Sequence, residues 1–328
     1  MLRPIMLGIV GDSGSARTTI TRGLVRVLGD DEVVHICTDD YHRYDRKQRM
    51  ERDITPLHPD CNYIDILTQH LGLLRDNQPV LKPVYQHADG TFGPPVYVEP
   101  RRLVVAEGLL AFHTPELREM FDVRVYLDPP EEHRRRWKLK RDCLTRGYTT
   151  DQVLAELDRR EPDSQAFIRP QRDYADIVVA LQPSGGPDQE HLDVKLTLRD
   201  SLTHPDLSGM LADGEHDGLV LTERDGAQEL FVPGRLSSDR ATLNRAAHLE
   251  DVIWRKMRFA RHLRHQALGE FMIGTELYRS DSLALVQLLI LYHVLMARHV
   301  AGLRAGTPQD FEASVLEDLL SSEAQAPR

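Results

Sequence analysis

The stretch Gly8-Ile9-Val10-Gly11-Asp12-Ser13-Gly14-Ser15-Ala16-Arg17-Thr18-Thr19 decides the fold. The apolar run from Ile5 to Val10 predicts a buried strand, and Ile20, Leu24 and Val27 recur at helical spacing after the loop. A strand, a loop of small residues and a helix form the context of a phosphate-binding loop, where backbone amides hold anionic oxygens. The candidate nucleotide-binding residues are Gly11, Asp12, Ser13, Gly14, Ser15, Ala16, Arg17, Thr18 and Thr19.

Two positions of this loop depart from the pattern G-x-x-x-x-G-K-[ST]. Ala16 stands in place of the second glycine, and Arg17 stands in place of the lysine. A β-carbon disfavours the positive φ that glycine adopts, and a guanidinium is wider than an ammonium. Thr18 still offers a hydroxyl where Mg²⁺ is ligated in such loops. On this stretch alone, an ordinary strand-turn-helix remains the alternative.

Composition and net charge indicate which classes of protein the sequence fits. The chain has 328 residues, of which 41% are apolar and 28% charged, and its net charge is −10. An acidic chain is not expected to bind nucleic acid, but it can hold a small anion in a local basic pocket. Its three cysteines form no metal-binding spacing, which suits the cytoplasm. The most apolar late stretch, Leu283 to Ala297, contains Gln287 and His293, and we expect a core helix there and no membrane span.

Further apolar runs alternate with helical patterns, which is typical of an α/β fold. We predict a doubly wound, largely parallel sheet with helices on both faces. The stretch from Pro79 to Pro100 contains five prolines and shows little periodicity. This composition predicts a long ordered loop. The remaining predicted strands of the core are Val33 to Cys37, Leu103 to Ala106, Val123 to Leu127 and Ile177 to Leu181.

A domain boundary is predicted at Pro183-Ser184-Gly185-Gly186-Pro187. Residues 1–183 would form the core that carries the sites, and residues 184–328 a small antiparallel and helical region packed on it. The predicted strands of that region are Val194 to Leu198, Gly218 to Thr222 and Glu229 to Val232, and its predicted helices are His248 to Leu268 and Ser280 to Ala301.

Acidic residues end two of the predicted strands. Asp39 follows the second strand and Glu107 closes the strand that begins at Leu103. The carboxyl ends of parallel strands share one edge, so both carboxylates can face the phosphate-binding loop. A helix from Glu131 to Arg146 is rich in cations, which suits either a solvated surface or a clamp on ATP phosphates. The residues alone indicate a phosphotransferase that uses a Mg²⁺-nucleotide and a small polar substrate.

An ordered set of motifs makes a family resemblance specific. Together these motifs resemble the phosphoribulokinase and uridine kinase family of P-loop kinases over about 180 residues. The matching stretches are Gly11 to Ser15, Asp39 to His42, Asp45 to Arg49, Lys82 to His87, Glu107 to Leu109, Lys138 to Gly147, Pro162 to Gln171 and Tyr174 to Asp176.

This resemblance implies an activity and roles for residues. The activity would be phosphorylation of ribulose 5-phosphate to ribulose 1,5-bisphosphate with ATP and Mg²⁺, by a homo-oligomer. Asp39 would be the general base, and Thr18, Asp39 and Glu107 would hold the metal. The implied substrate-binding residues are His42, Arg46, Arg49, Tyr85 and His87, and the implied phosphate-binding catalytic cations are Lys138, Arg141 and Arg146.

The chain also departs from the family pattern. Besides Ala16-Arg17, Leu110 stands where many relatives place histidine, and Ser15 stands where light-regulated plant enzymes carry a cysteine. Two alternatives therefore stay open. One is a related nucleoside, uridine or sugar kinase. The other is a degenerate homologue that binds a nucleotide without catalysis.

Overall fold

The computed structural model describes residues 2–183, 192–205, 207, 219–234, 264–273 and 276–304. The strands are β1 (Ile5–Gly11), β2 (Val33–Cys37), β3 (Val80–Gln86), β4 (Thr91–Val98), β5 (Leu103–Gly108), β6 (Val123–Leu127), β7 (Ile177–Pro183), β8 (Leu192–Arg199), β9 (Val220–Arg224), β10 (Ala227–Val232), β11 (Glu270–Ile273) and β12 (Glu276–Arg279). The α-helices are α1 (Arg17–Leu28), α2 (Arg46–Glu51), α3 (Ile64–Arg75), α4 (Pro115–Glu119), α5 (Glu131–Arg146), α6 (Thr150–Asp163) and α7 (Asp281–Arg304).

An eight-stranded sheet in the order β2-β5-β1-β6-β7-β8-β10-β9 forms the centre of the protein. The first five strands of this order are parallel, and the last three continue the sheet in antiparallel fashion. The predicted α/β fold with a largely parallel sheet is confirmed. Strands β2 and β6 have the bounds predicted from their apolar runs.

The side-chain alternation of β1 divides the core into two layers. Ile5, Leu7 and Ile9 point to the face covered by α1 and α7, whereas Met6 and Val10 point to the face covered by α3. Every residue of β1 is buried. Because both faces of β1 are covered, its sequence is a continuous apolar run rather than an alternating one.

The prediction of a long loop from Pro79 to Pro100 is wrong. Strands β3 and β4 form an antiparallel hairpin that is separate from the main sheet. The register of the hairpin shifts between Lys82 and Val84, on either side of Pro83. A two-stranded ribbon tolerates proline at such an irregularity and at free edges, because no ladder hydrogen bond is lost there. The prolines therefore hid the strand pattern.

Beyond the predicted boundary, β8, β9 and β10 extend the sheet of the core rather than starting another. Most of that boundary segment and residues 248–263 of the predicted helix lie outside the described residues. Helix α7 is long and apolar enough over Asp281–Ala301 to cross a membrane, yet 61% of its most apolar window is buried in the protein. It packs against α1, β1 and β8, which is the position of a core helix.

Candidate active site

The phosphate-binding loop joins β1 to α1 and contains two residues with positive φ. Gly14 has φ of 89°, and Ala16 has φ of 70° and ψ of 17° in the left-handed region. The left-handed conformation costs an L-residue about 1–2 kcal/mol. Ala16 thus keeps the backbone path that glycine would follow, in spite of its β-carbon.

Helix α5 lies directly over this loop. A β-carbon at Gly14 would lie 3.1 Å from the Arg134 carbonyl oxygen and 3.2 Å from Lys138 Cβ, so glycine permits the close approach. Arg134 Nη1 donates a hydrogen bond to the Ser13 carbonyl oxygen at 3.0 Å and lies 3.3 Å from Asp12 Oδ1. Arg134 therefore ties the basic helix to the loop. The charge of Arg134 is evident in the sequence, but no motif indicates its contact with the loop.

Two buried polar atoms in the loop suit a phosphate ligand. Within the part of the chain that the structure describes, Ser15 Oγ and Arg17 Nη1 are buried without a hydrogen-bond partner. Such orphaned donors are uncommon in folded proteins and fit the anionic oxygens of a nucleotide. The residues present thus fit ATP, with Arg17 as the cation in place of lysine.

A second group of side chains faces the loop from the strand ends. Thr18 Oγ1 donates a hydrogen bond to Glu107 Oε1 at 3.3 Å, and His35 Nε2 lies 3.2 Å from the same oxygen. Burial acts to raise the pKa of Glu107, but the hydrogen bond from His35 and the charge of Arg17 hold it below its ordinary value. A hydroxyl and an ionised carboxylate side by side are the oxygen ligands that Mg²⁺ prefers.

Asp39 follows β2 at the same edge of the sheet, in a short 3₁₀ helix over Thr38–Tyr41. Its side chain is 20% exposed, and its Oδ2 lies 3.8 Å from His87 Nε2. Burial acts to raise the pKa of Asp39, but its electrostatic interactions with His42, when that ring is protonated, and with Arg17 outweigh burial and lower the pKa. Because its pKa lies below the ordinary value, Asp39 is an ionised carboxylate near pH 7.

His42 is buried beside Asp39 and is neutral near pH 7. Burial lowers the pKa of His42 to about 4, although Asp39 acts in the opposite direction. Its Nδ1 lies 2.7 Å from Asn62 Oδ1. Since the Asn62 amide nitrogen donates to two carbonyls, Oδ1 is the acceptor and the proton sits on His42 Nδ1. His42 Nε2 is therefore left as an acceptor.

The predicted substrate-binding arginines differ in their surroundings. Arg46 Nη2 donates to the His87 carbonyl oxygen at 2.7 Å, and its guanidinium lies 5.9 Å from the centre of the Tyr148 ring. Arg49 is buried and donates to the Tyr44 carbonyl oxygen at 2.8 Å and to the Tyr85 hydroxyl at 2.5 Å. The structure thus gives Arg49 contacts that hold Tyr85 in place.

The cations of α5 converge on an acid of the same helix. Lys138 Nζ lies 2.6 Å from Asp142 Oδ2, and Arg141 Nε donates to Asp142 Oδ1 at 2.8 Å. Burial, together with the charge of Arg160, lowers the pKa of Lys138 to about 8, despite its pairing with Asp142. Lys138 lies beside the phosphate-binding loop, and its binding of ATP phosphates stays a prediction. The Arg146 side chain lies outside the described residues.

Comparison with known proteins identifies the family to which this site belongs. Residues 6–185 match the model of the family described as Phosphoribulokinase / Uridine kinase family. The chain belongs to this family. The matched region contains the phosphate-binding loop, both strand-end acids, the hairpin and the basic helix, so the family resemblance of the motifs is confirmed.

Relatives within the family include both kinds of kinase. A phosphoribulokinase of Synechocystis sp. is 39% identical over 182 residues, which are 56% of this chain and 55% of that protein. A uridine kinase of Latilactobacillus sakei is 30% identical over 197 residues, which are 59% of this chain and 92% of that protein. The chain spans about half the length of the curated phosphoribulokinases it matches.

A solved structure confirms the fold. The phosphoribulokinase from Rhodobacter spheroides superimposes with a TM-score of 0.57 and 19% sequence identity, and the match covers 79% of this chain and 99% of that one. At 19% identity this likeness shows the fold alone.

Proposed function

We propose that this protein phosphorylates ribulose 5-phosphate with ATP and Mg²⁺ to give ribulose 1,5-bisphosphate. The observation that carries the proposal is the position of Asp39. It is an ionised carboxylate that interacts electrostatically with Arg17 of the phosphate-binding loop, and its Oδ2 lies 3.8 Å from Nε2 of His87, which directly follows β3. The identity to the Synechocystis phosphoribulokinase supports this substrate.

In this mechanism the residues of the chain position and activate the acceptor. Asp39 accepts the proton of the primary hydroxyl as that oxygen attacks the terminal phosphorus of ATP, and the phosphoryl group leaves ADP. His42 Nε2 and the Arg46 guanidinium hold the sugar phosphate. Thr18, Asp39 and Glu107 would hold Mg²⁺, which when bound offsets the negative charge of the phosphates.

Cations on two elements surround the phosphates in the proposed complex. Arg17 and the backbone amides of the phosphate-binding loop bind the phosphates on one side. Lys138 and Arg141 lie on α5, the helix that covers the loop. Such preorganised charge stabilises the transferring group more strongly in a closed cleft than in water. Binding of an anion would compete with Asp142 for these side chains.

A coupled assay of ADP release with MgATP and ribulose 5-phosphate tests the proposal. We expect turnover that far exceeds that of an Asp39→Ala control. Because the family includes uridine kinases, uridine is the comparison substrate. Phosphorylation of uridine without turnover of ribulose 5-phosphate would contradict the proposal, and no turnover of either would favour the degenerate homologue. A cytoplasmic homo-oligomer stays a prediction, and light scattering tests its assembly.

A further inference from the structure

Cys37, Asp39 and His87 bring three different metal-ligating side chains together at the end of β2. The Cys37 sulfur, a carboxylate oxygen of Asp39 and a ring nitrogen of His87 all lie within 4.8 Å of one another. The proposed mechanism has no use for the thiol. We propose that these three residues form a binding site for Zn²⁺ or a similarly thiophilic divalent cation, and that its occupation blocks Asp39.

The geometry of the three ligand atoms suits a tetrahedral ion. Zinc binds sulfur at about 2.3 Å and nitrogen or oxygen at about 2.0–2.2 Å, so ligand atoms around it lie about 3.3–3.7 Å apart. Asp39 Oδ2 and His87 Nε2 are already 3.8 Å apart. Cys37 and Asp39 are held by β2 and the 3₁₀ helix, while the His87 side chain is 43% exposed after the end of β3. Since no pair of these ligand atoms is more than 4.8 Å apart, side-chain shifts of about 1 Å would bring them to tetrahedral spacing.

The charge around Cys37 favours a cation. Burial raises the pKa of the Cys37 thiol well above its ordinary value, and the nearby carboxylates of Asp39, Glu107 and Asp40 add to the effect. The same carboxylates are anionic neighbours for a divalent ion, and they oppose the positive charge of Arg17 near Asp39. On binding, a zinc–sulfur bond forms as the S–H bond breaks, and the thiol proton passes to solvent.

This set of ligands differs in kind from the proposed magnesium set. Thr18, Glu107 and Asp39 offer oxygen alone, which suits Mg²⁺. Sulfur and imidazole select zinc, and three protein ligands leave one tetrahedral position open for water. Asp39 belongs to both sets. On the proposed function, a zinc ion on Asp39 removes the proton acceptor, and zinc would therefore inhibit the kinase reversibly.

Cobalt spectroscopy tests the site without any assay of activity. Co²⁺ titrated into the full chain should give the near-ultraviolet absorption of a thiolate bound to cobalt. The matched pair of variants is Cys37→Ser and Cys143→Ser, since Cys143 lies on α5. We expect the band in the wild type and in Cys143→Ser, and its loss in Cys37→Ser. Cobalt binding without this band, or a band that survives Cys37→Ser, would overturn the proposal.

Zinc affinity gives a second measurement. Competition with a chromophoric chelator should show that Cys37→Ser weakens Zn²⁺ binding by at least about tenfold, since even outer-shell changes cost 10–100-fold. Cys37→Ala provides the same test should the serine variant fail to fold. His87→Gln should weaken binding as well, while equal affinity in His87→Gln and wild type would remove His87 from the site.

The inhibition assay separates the site from the proposed function. Each variant is compared with its own zinc-free rate at saturating MgATP. We expect zinc to inhibit the wild type and Cys143→Ser and to leave the rate of Cys37→Ser unchanged. A cobalt band without inhibition would support the metal site but contradict the proposal that a bound ion blocks Asp39. A cobalt band without any ribulose 5-phosphate turnover would keep the site and contradict the proposed function.

Discussion

The backbone amide of Tyr85 donates a hydrogen bond to Asp40 Oδ1 at 2.8 Å. Lys82 of the same hairpin forms an ion pair with the other oxygen of Asp40, and both side chains are nearly buried. Asp40 therefore connects the end of β2 to the β3–β4 hairpin. Its neighbour Asp39 is left to face the cleft. Two adjacent aspartates thus have separate tasks, one in structure and one in the proposed chemistry.

Asp39→Asn should nearly abolish turnover while nucleotide binding survives. The amide has almost the same shape but cannot accept the hydroxyl proton, and loss of a general base costs about 10²–10⁴-fold in rate. Steady-state kinetics give the rate, and calorimetry with ATP gives the binding. A variant that keeps most of the wild-type activity would remove Asp39 from this role.

Asp40→Asn should act on stability instead. The change leaves the buried Lys82 ammonium without its partner, and breaking a buried pair costs about 3–5 kcal/mol. Chemical denaturation should show a drop of that order in the free energy of unfolding. Asp39→Asn is the matched control, and we expect it to alter stability far less. Equal losses in the two variants would contradict the division of tasks.

His42→Ala and Arg46→Ala should mainly raise KM for the sugar phosphate. Both side chains contact the hairpin segment, since the His42 ring packs against Tyr85 and Arg46 donates to the His87 carbonyl oxygen. Loss of contacts shared by the ground state and the transition state raises KM and leaves kcat largely unchanged. If KM for ATP rose while that for the sugar phosphate stayed constant, this placement would be incorrect.

The double change Ala16→Gly with Arg17→Lys should improve the use of ATP. Glycine removes the β-carbon at the left-handed position and lets the backbone of the loop approach the phosphates more closely. Lysine offers a compact charge that fits within the ring of amides. We expect a lower KM for ATP, a higher kcat and an unchanged KM for ribulose 5-phosphate. No gain in steady-state kinetics would show that alanine and arginine are adapted to each other here.

Stability should fall on acidification between pH 6.5 and 4, in part through His42. Burial lowers the pKa of His42 to about 4 in the folded protein, whereas the unfolded value is about 6.5. The unfolded chain therefore binds the proton more readily than the folded protein. The contribution of neutral His42 to the free energy of unfolding is complete above about pH 6.5 and decreases as pH falls towards 4. The difference amounts to about 3 kcal/mol.

His42→Gln should flatten that pH dependence when unfolding is measured at several pH values. The buried His293 has a pKa that burial likewise lowers to about 4, so part of the slope would remain. An unchanged slope in His42→Gln would show that His42 is not neutral in the folded protein.

The sequence by itself determined the parallel core and its phosphate-binding loop. The apolar run of β1 indicates burial on both faces of a strand, and the glycines and hydroxyls after β1 indicate the loop. These signals are local. The side chains of a single strand show which of its faces are apolar, and the residues of a single turn set its backbone conformation. Asp39 and Glu107 could be predicted at one edge of the sheet for the same reason, because each lies at the carboxyl end of its own strand.

Only the tertiary structure decided which side chains meet. The contact of Arg134 with Ser13, the pairing of Asp40 with Lys82, and the convergence of Cys37 with His87 all join residues from different elements. The hairpin over Pro79–Pro100 was hidden for the same reason, since strand pairing is a contact between segments and proline masks the local pattern. Long-range packing sets these distances, and no spacing in the sequence encodes them.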